Sequence, residues 1–416
     1  MKKETKKAPT IRFRGFTDDW DQRKLNEICN KITDGSHFSP PEVDNGYPMP
    51  SVKDMTVNGF DYTTCKKISE QDYKILVKQG CKPEKGDVLV AKDGSILKHA
   101  FEIKREQNIV ILSSIAILRP KHGIIDGKFL AQKLVMDDFK SKVIKENTTG
   151  TGVPRIVLSN FKNFSIQFPK FEEQQKIGDY FENLDNLITL HQRKFDQLKT
   201  AKKFFLQNMF PAKGEKVPRI RFQGFTGDWE QRKLGEITKL ITKGTTPLDK
   251  SGRGTVNFIK VENLDLDNGR ILSSSKISLE EHNGYLKRSQ LQENDILFSI
   301  AGTLGRIGVV KSNILPANTN QALAIIRLQE GYLGYVVTAL KGSAVTSYIL
   351  HNPTTGAQPN LSLQQVAELE IPYPSISEQQ KISEYFENLD NLITLHQRKL
   401  DQLKTLKKFM LQNLFI

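Results

Sequence analysis

Two stretches of the chain carry apolar side chains at alternating spacings of four and three residues. Each extends over roughly five heptads, which is typical of a coiled coil rather than of a helix on a globular surface. We therefore predict long helices at 172–210 and 377–416, each a rod of roughly 57 Å. The coiled-coil positions are Ile177, Phe181, Leu184, Ile188 and Leu198 in the first helix and Ile382, Phe386, Leu389, Ile393 and Leu403 in the second.

The two predicted helices have almost the same sequence, because residues 174–210 return as 379–415 with 31 of 37 positions identical. Antiparallel pairing of the two with each other is the simplest arrangement for such similar apolar seams. Leucine-rich seams can equally recruit helices of another protein, and the two uses are compatible. Lys202 and Lys407 also fall on seam positions, towards the end of each helix.

The similarity of the helices is part of a duplication of the whole chain. Residues 9–20 return as 218–229 at an offset of 209, and further short segments match in between. A duplication without functional meaning predicts even divergence along the chain. Here the flanking segments are nearly unchanged while the regions between them differ strongly. We infer two copies that share one task and differ in another.

The diverged regions are predicted to be two α+β domains. Short apolar runs predict strands, among them 88–91, 109–118 and 296–300, and helical patterns such as 128–136 lie between them. The predicted fold class is α+β: two globular domains separated by two long helices that form an antiparallel coiled coil, with an internal pseudo-two-fold repeat. We place the first domain at 1–171, the second at 217–376 and a linker at 211–216.

Loops rich in Gly, Ser, Thr and Lys recur at matching places in both predicted domains. Backbone amides and hydroxyls suit phosphate oxygens, and Arg, Asn and Gln suit base edges. One such loop is most simply a turn, but their recurrence, with a net charge of +14, favours a polyanion-binding edge. The candidate DNA contacts are Asp34, Gly35, Ser36, His37, Lys53, Lys92, Thr148, Thr149, Gly150, Arg155, Lys243, Gly244, Thr245, Thr246, Lys260, Arg306, Thr354, Thr355, Gly356, Gln358 and Asn360.

Several function classes are disfavoured. No apolar run approaches the ~20 residues of a membrane span, and three cysteines without C-x-x-C spacing favour a reduced, cytoplasmic protein without a structural zinc site. Asp93, Glu102 and Lys104 resemble a metal-dependent nuclease site, although the second half lacks equivalents. A standalone nuclease and a noncatalytic coiled-coil scaffold with an incidentally basic surface therefore stand as alternatives to a DNA-binding subunit.

The Arg-Phe-x-Gly-Phe-x-x-x-Trp opening of each half, and the helix that begins Gln-x-Lys-Ile at 174 and 379, resemble the specificity subunit of a type I restriction–modification enzyme. The resemblance covers essentially the whole chain. It implies two target-recognition domains, each recognising one half of a bipartite double-stranded DNA site and held apart by the paired helices. One departure is the loop at 148–155, which is longer than its counterpart at 354–360 and has Arg155 where the second half has Asn360.

The resemblance also implies partners. Two methyltransferase subunits would use S-adenosylmethionine to methylate adenine N6, and two restriction/translocase subunits would use ATP and Mg²⁺. This chain would have no catalysis and no cofactor or metal of its own. The unchanged helices would then be the scaffold for identical partners, and the diverged domains would recognise unrelated half-sites.

Overall fold

The computed structural model describes residues 8–147, 155–212, 214–249, 251–265, 269–272, 274–351 and 359–416. Its contacts divide the chain into two compact units. Unit 1 consists of Met1–Gln192 with Lys399–Ile416, and unit 2 is Arg193–Arg398. Each unit therefore contains one diverged region, the first part of one long helix and the last part of the other.

The elements that begin in unit 1 are strands β1 (Asp21–Lys24), β2 (Cys29–Asp34), β3 (Tyr47–Pro48), β4 (Lys67–Ile68), β5 (Val88–Ala91), β6 (Ala100–Glu102), β7 (Ile115–Pro120) and β8 (Ser165–Phe168), and helices α1 (Leu25–Ile28), α2 (Glu70–Lys78), α3 (Gly127–Leu134), α4 (Asp137–Asn147), α5 (Leu158–Asn163) and α6 (Phe171–Asn208). The central sheet is antiparallel in the order β2-β7-β5-β6, and β1 pairs with β8.

Strand β5 is buried on both faces, and its side chains alternate between two apolar clusters. Val88 and Val90 pack in the cluster that contains Phe129 of α3 and Phe181 of α6. Leu89 and Ala91 belong to a second cluster on the other face. The sheet is thus covered on both sides at β5, which explains why Val88–Ala91 is a continuous apolar run rather than an alternating one.

The predicted strand at 109–118 is too long. Strand β7 begins only at Ile115, and Ser113 and Ser114 form a turn before it. Ile109 and Ile111 are nevertheless buried beneath the sheet. Burial at both ends of the run, 109–111 and 115–118, explains its apolar pattern, whereas the partly exposed Leu112, Ser113 and Ser114 interrupt it before the strand begins.

The elements that begin in unit 2 are β9 (Glu230–Lys233), β10 (Thr238–Lys243), β11 (Val256–Ile259), β12 (Ser275–Ile277), β13 (Ile296–Ser299), β14 (Ile307–Val309), β15 (Ala317–Thr319), β16 (Leu323–Leu328) and β17 (Glu370–Tyr373), and helices α7 (Leu279–Asn283), α8 (Leu333–Leu340), α9 (Ser343–His351), α10 (Leu363–Ala367) and α11 (Ile376–Leu414). Short 3₁₀ turns lie at Val52–Asp54, Leu234–Ile237, Val261–Asn263, Lys287–Ser289 and Ser312–Ile314.

The central sheet of unit 2, in the order β10-β16-β13-β14, repeats that of unit 1 strand for strand. Even the bulge recurs, at Cys29/Lys31 in β2 and at Thr238/Leu240 in β10. The described residues of the two units differ outside this sheet, where unit 2 has a three-stranded sheet β12-β11-β15 and unit 1 has the two-stranded β3-β4 pair. Divergence has therefore changed what is attached to a common frame.

The long helices pair antiparallel within each unit. In unit 1, Phe181 of α6 contacts Phe415, just beyond the end of α11, and the Lys407 Nζ lies 2.6 Å from Asp185 Oδ1. In unit 2, Phe386 of α11 contacts Phe210. Asp390 of α11 forms an ion pair with Lys202 of α6, which corresponds to the Asp185–Lys407 pair of unit 1. All ten predicted coiled-coil positions are buried except Ile188, which is half-buried.

An ion pair anchors the start of each long helix. Arg12 donates two hydrogen bonds of 2.8 Å to the Glu173 carboxylate, and Arg221 donates two, of 2.8 and 2.9 Å, to the Glu378 carboxylate. The next residue in the first helix, Gln174, is fully buried and accepts a hydrogen bond from the Asp126 amide. The nearly unchanged opening segment of each half thus holds the beginning of its helix, and this contact explains why both segments keep the arginine.

Within the described residues, no single helix has the length and apolar composition of a membrane span. Helices α8 and α9 have that length and composition only when they are counted as one segment, and the chain bends by 45° between them.

Candidate nucleic-acid interface

The first candidate edge lies in unit 1, where β2 ends, β5 ends and β7 begins. Asp34 of β2 and Val90 of β5 both lie opposite Ala116 of β7, so the residues that follow the two strands meet at one edge of the sheet. We call 34–37, 92–93 and 155 the first edge, because Arg155 forms a β-bridge to Asp93 there.

Charged side chains on the first edge form one connected cluster. The Lys92 Nζ lies 3.3 Å from Asp34 Oδ2 and 3.3 Å from Asp93 Oδ2, and the side chain is only 4% exposed. The Arg155 Nε lies 3.2 Å from Asp93 Oδ1, and His37 Nε2 lies 3.4 Å from Asp34 Oδ2. Arg155 and His37 are 58% and 70% exposed, so the buried lysine and two carboxylates support two exposed nitrogen-bearing side chains.

Gly35 and Gly244 occupy equivalent positions at the two edges for a steric reason. A Cβ at Gly35 would lie 2.0 Å from the Ile111 carbonyl oxygen, and one at Gly244 would lie 2.0 Å from that of Thr319. The same carbonyls accept hydrogen bonds from Ser36 at 2.8 Å and from Thr245 at 3.0 Å. Close backbone approach thus requires glycine at both places, whatever the edge binds.

Lys53 borders the first edge without joining its ion pairs. It lies exposed on a 3₁₀ turn, and the amide of its neighbour Val52 donates to Ser114 Oγ at 3.4 Å. The Lys92 amide donates to the carbonyl of the same serine at 3.0 Å. Ser114 therefore connects the Lys53 segment to the Lys92 segment.

The second candidate edge lies at the corresponding end of the sheet in unit 2. Lys243 ends β10, Thr246 donates a hydrogen bond to Gln321, and Asn360 forms a β-bridge to Ala301. We call 243–246, 300–301 and 360 the second edge.

Arg306 and Lys260 are linked to each other through the 3₁₀ turn that follows β11. Arg306 is partly buried, its Nη1 donates to the Val261 carbonyl at 3.4 Å, and its buried Nε has no partner. Lys260 precedes Val261 in the chain, and its Nζ lies 3.8 Å from Glu262 Oε1.

The predicted contacts Thr148, Thr149, Gly150, Thr354, Thr355, Gly356 and Gln358 lie outside the described residues.

The residues of the nuclease alternative do not come together. The pairing of β5 with β6 places Glu102 beside Val88. Val88 lies five residues before Asp93, which in extended chain corresponds to about 16 Å between Val88 and Asp93. Burial is the main cause of a raised pKa of Glu102, and the negative charge of the neighbouring Asp126 raises this pKa further. Lys104 forms an ion pair with Glu182. Among the described residues, no three His, Cys, Asp or Glu side chains are arranged to hold a metal ion.

Comparison with known proteins agrees with the duplicated fold. The family described as "Type I restriction modification DNA specificity domain" matches the chain twice, over residues 17–200 and 226–405. The chain belongs to this family. The two matched ranges follow the two halves of the internal repeat, so each half is one specificity domain.

Related specificity subunits match over most of their length. The chain is 25% identical to the type I restriction enzyme MjaVIII specificity subunit of Methanocaldococcus jannaschii over 409 residues, which cover 94% of this chain and 91% of that protein. It is 23% identical to the EcoBI specificity subunit of Escherichia coli, covering 89% and 79%. The fold is similar to that of a type I S subunit from M. genitalium, with a TM-score of 0.61, 16% identity and coverage of 98% and 99%.

The two specificity domains present different chemistry on equivalent backbone. The Ile156 amide donates to the Lys92 carbonyl at 3.0 Å, and the Leu361 amide donates to the Ile300 carbonyl at 2.8 Å. The ion-paired Lys92 and Asp93 thus correspond to Ile300 and Ala301. Sequence reasoning placed Asp93 in a candidate binding loop and in the nuclease alternative, but did not predict its contact with Arg155. The predicted DNA contact Lys92, next to Asp93 in the chain, was the signal in the sequence that could have pointed to this charged cluster.

Proposed function

We propose that this chain is the DNA-specificity subunit of a type I restriction–modification complex, and that each unit recognises one half of a split DNA site. The observation that carries the proposal is the pair of equivalent sheet edges with different side chains. A shared frame explains why both domains present a surface in the same way, and different side chains are what recognition of unrelated half-sites requires. The net charge of +14 supports sequence-independent attraction to the phosphates of double-stranded DNA.

We further propose that the long helices bind two copies of a methyltransferase subunit. Leu190 and Leu395 are equivalent, lie in different units and are 61% and 60% exposed, and the equivalent Phe204 and Phe409 are each 50% exposed. Exposed apolar side chains that recur on nearly identical helices favour docking of identical partners. Two restriction/translocase subunits would complete the complex.

In this proposal the chain itself is noncatalytic, works in the cytoplasm and binds no cofactor. The methyltransferase subunits would use S-adenosylmethionine, and the restriction subunits would use ATP and Mg²⁺. The separation of Asp93 from Glu102 supports this division of labour, because it removes the one catalytic constellation suggested by the sequence.

The direct test is modification-sensitive sequencing of DNA from cells that express this chain with its methyltransferase partner. Cells that lack only this chain are the control. We expect N6-methyladenine at a split motif, with one methylated adenine in each half and on opposite strands. No new methylation, with the complex shown to be present, would contradict the proposal.

Exchange of one domain is expected to change one half-site. If residues 8–170 are replaced with the first domain of another family member, the new motif should keep the second half and acquire a different first half. The reason is that each edge is built within its own unit. Sequencing of methylated DNA measures both halves at once, and a change in both would refute independent recognition.

Charge placed on the exposed helix face is expected to prevent assembly. The double variant Leu190→Asp with Leu395→Asp should bind the methyltransferase subunit at least 10-fold more weakly, because it buries charge in an apolar interface. Affinity is measured with the purified subunits, and thermal unfolding of the chain should change little. The control is Leu248→Asp, at a leucine 70% exposed outside the helices. Normal assembly of the double variant would show that these positions do not dock the partner.

A further inference from the structure

Arg155 and Asn360 occupy the same position on the two edges. Each forms the β-bridge to the loop after the third strand of its sheet, at Asp93 and at Ala301. The loops that they contact also share a glycine with left-handed backbone at the next position, since Gly94 and Gly302 have φ of 67° and 74°. The backbone therefore presents an arginine at one edge where it presents an asparagine at the other.

The Arg155 side chain is held at one end and exposed at the other. Its Nε is directed at Asp93 Oδ1, and the structure describes no other side-chain hydrogen bond of Arg155. Asp93 is itself only 14% exposed and is paired with the buried Lys92. A guanidinium held through Nε keeps its two terminal amino groups available as a planar pair of donors.

We propose that Arg155 recognises a guanine in the first half-site and that Asn360, at the equivalent position, recognises an adenine in the second. This inference rests on the proposed function. A pair of parallel arginine donors matches the O6 and N7 acceptors of guanine in the major groove, and an asparagine amide matches N6 and N7 of adenine. Asp93 is a positioning residue, because it orients the guanidinium and touches no base.

The alternative role for Arg155 is a phosphate contact, and lysine separates the two roles. Lysine keeps the positive charge but lacks the planar pair of donors. A phosphate contact survives Arg155→Lys with specificity unchanged, whereas a guanine preference that depends on the planar pair of donors is reduced. Arg155 is largely exposed, so these substitutions leave the fold intact.

The test uses the complex of this chain with its methyltransferase partner. Binding is measured to duplexes that carry each of the four base pairs at each position of the first half-site, as identified by methylation sequencing and domain exchange. We expect the native complex to prefer guanine at one position by on the order of 10- to 100-fold. Arg155→Lys should reduce that preference to a few-fold, and Arg155→Asn should shift it towards adenine, with the second half-site unchanged.

Two further variants test position and reciprocity. Asp93→Asn should weaken the guanine preference at the same position while thermal unfolding of the complex changes little, a combination that a purely structural role would not produce. Asn360→Arg should change an adenine to a guanine preference in the second half-site only. Lys162→Asn, at an exposed lysine of α5, is the control for lost charge and should leave every preference intact.

The outcomes separate this inference from the proposed function. A native complex that methylates no split motif overturns both. A split motif whose first half contains no guanine, or an Arg155→Lys complex with undiminished guanine preference, overturns the inference and leaves the proposed function standing. Uniform weakening for all four bases in Arg155→Asn also overturns it and assigns Arg155 to a phosphate.

Discussion

Replacing Phe415 with alanine is expected to destabilise unit 1 by about 3–5 kcal/mol, the loss typical of a buried phenylalanine. The ring is 4% exposed, and its centroid lies 5.2 Å from that of Phe129, 5.7 Å from that of Phe181 and 6.2 Å from that of Trp20. These neighbours belong to separate elements and cannot close together over the cavity. Hydrogen exchange at the amides of β5 and β7 measures the loss in unit 1 directly.

Phe409→Ala is the matched control, because this phenylalanine lies in the last turns of α11, six positions before Phe415, and is 50% exposed. It should change the free energy of unfolding by less than about 0.5 kcal/mol. In unit 2, Phe210→Ala and Phe204→Ala form the same pair of buried and exposed sites. Equal effects of Phe415→Ala and Phe409→Ala would show that the end of α11 does not complete the core of unit 1.

Replacing Arg12 with alanine is expected to destabilise unit 1 by about 3–5 kcal/mol, because it leaves a buried charge without its partner. The Glu173 side chain is 1% exposed and accepts both of its hydrogen bonds of 2.8 Å from Arg12. Hydrogen exchange at the amides of β5 and β7 measures the loss.

Arg14→Ala is the control for Arg12→Ala, since Arg14 lies two positions away and is exposed. It should change the free energy of unfolding by less than about 0.5 kcal/mol. The double variant Arg12→Met with Glu173→Leu should recover most of the lost stability, because no buried charge remains. If Arg12→Ala were as stable as Arg14→Ala, the ion pair would not be what anchors the start of the helix.

The sequence predicts the long helices well because their signal is local. A seam repeats every three or four residues, and both helices carry it over their whole length. Strand boundaries were less predictable. The apolar run at 109–118 is buried at 109–111 and at 115–118, yet it is strand only from Ile115, because burial and extended conformation leave the same apolar signature.

The charged cluster of the first edge could not be predicted from spacing. Asp34, Asp93 and Arg155 are far apart along the chain and meet only because β2, β7 and β5 are neighbours in the sheet. Loop composition marked most of the relevant segments. It did not show that Lys92 is buried as a support while Arg155 is exposed.

The sequence by itself determined the duplication, the two long helices, the contrast between unchanged flanks and diverged domains, and the family. Each depends on comparing residues that are close together or copied within one chain. Only the tertiary structure decided that each unit is completed by the end of the other repeat's helix, through Phe415 in unit 1 and Phe210 in unit 2. The two helices have nearly identical sequences, so either helix end carries the same apolar pattern. Which end fills which core depends on antiparallel packing in three dimensions.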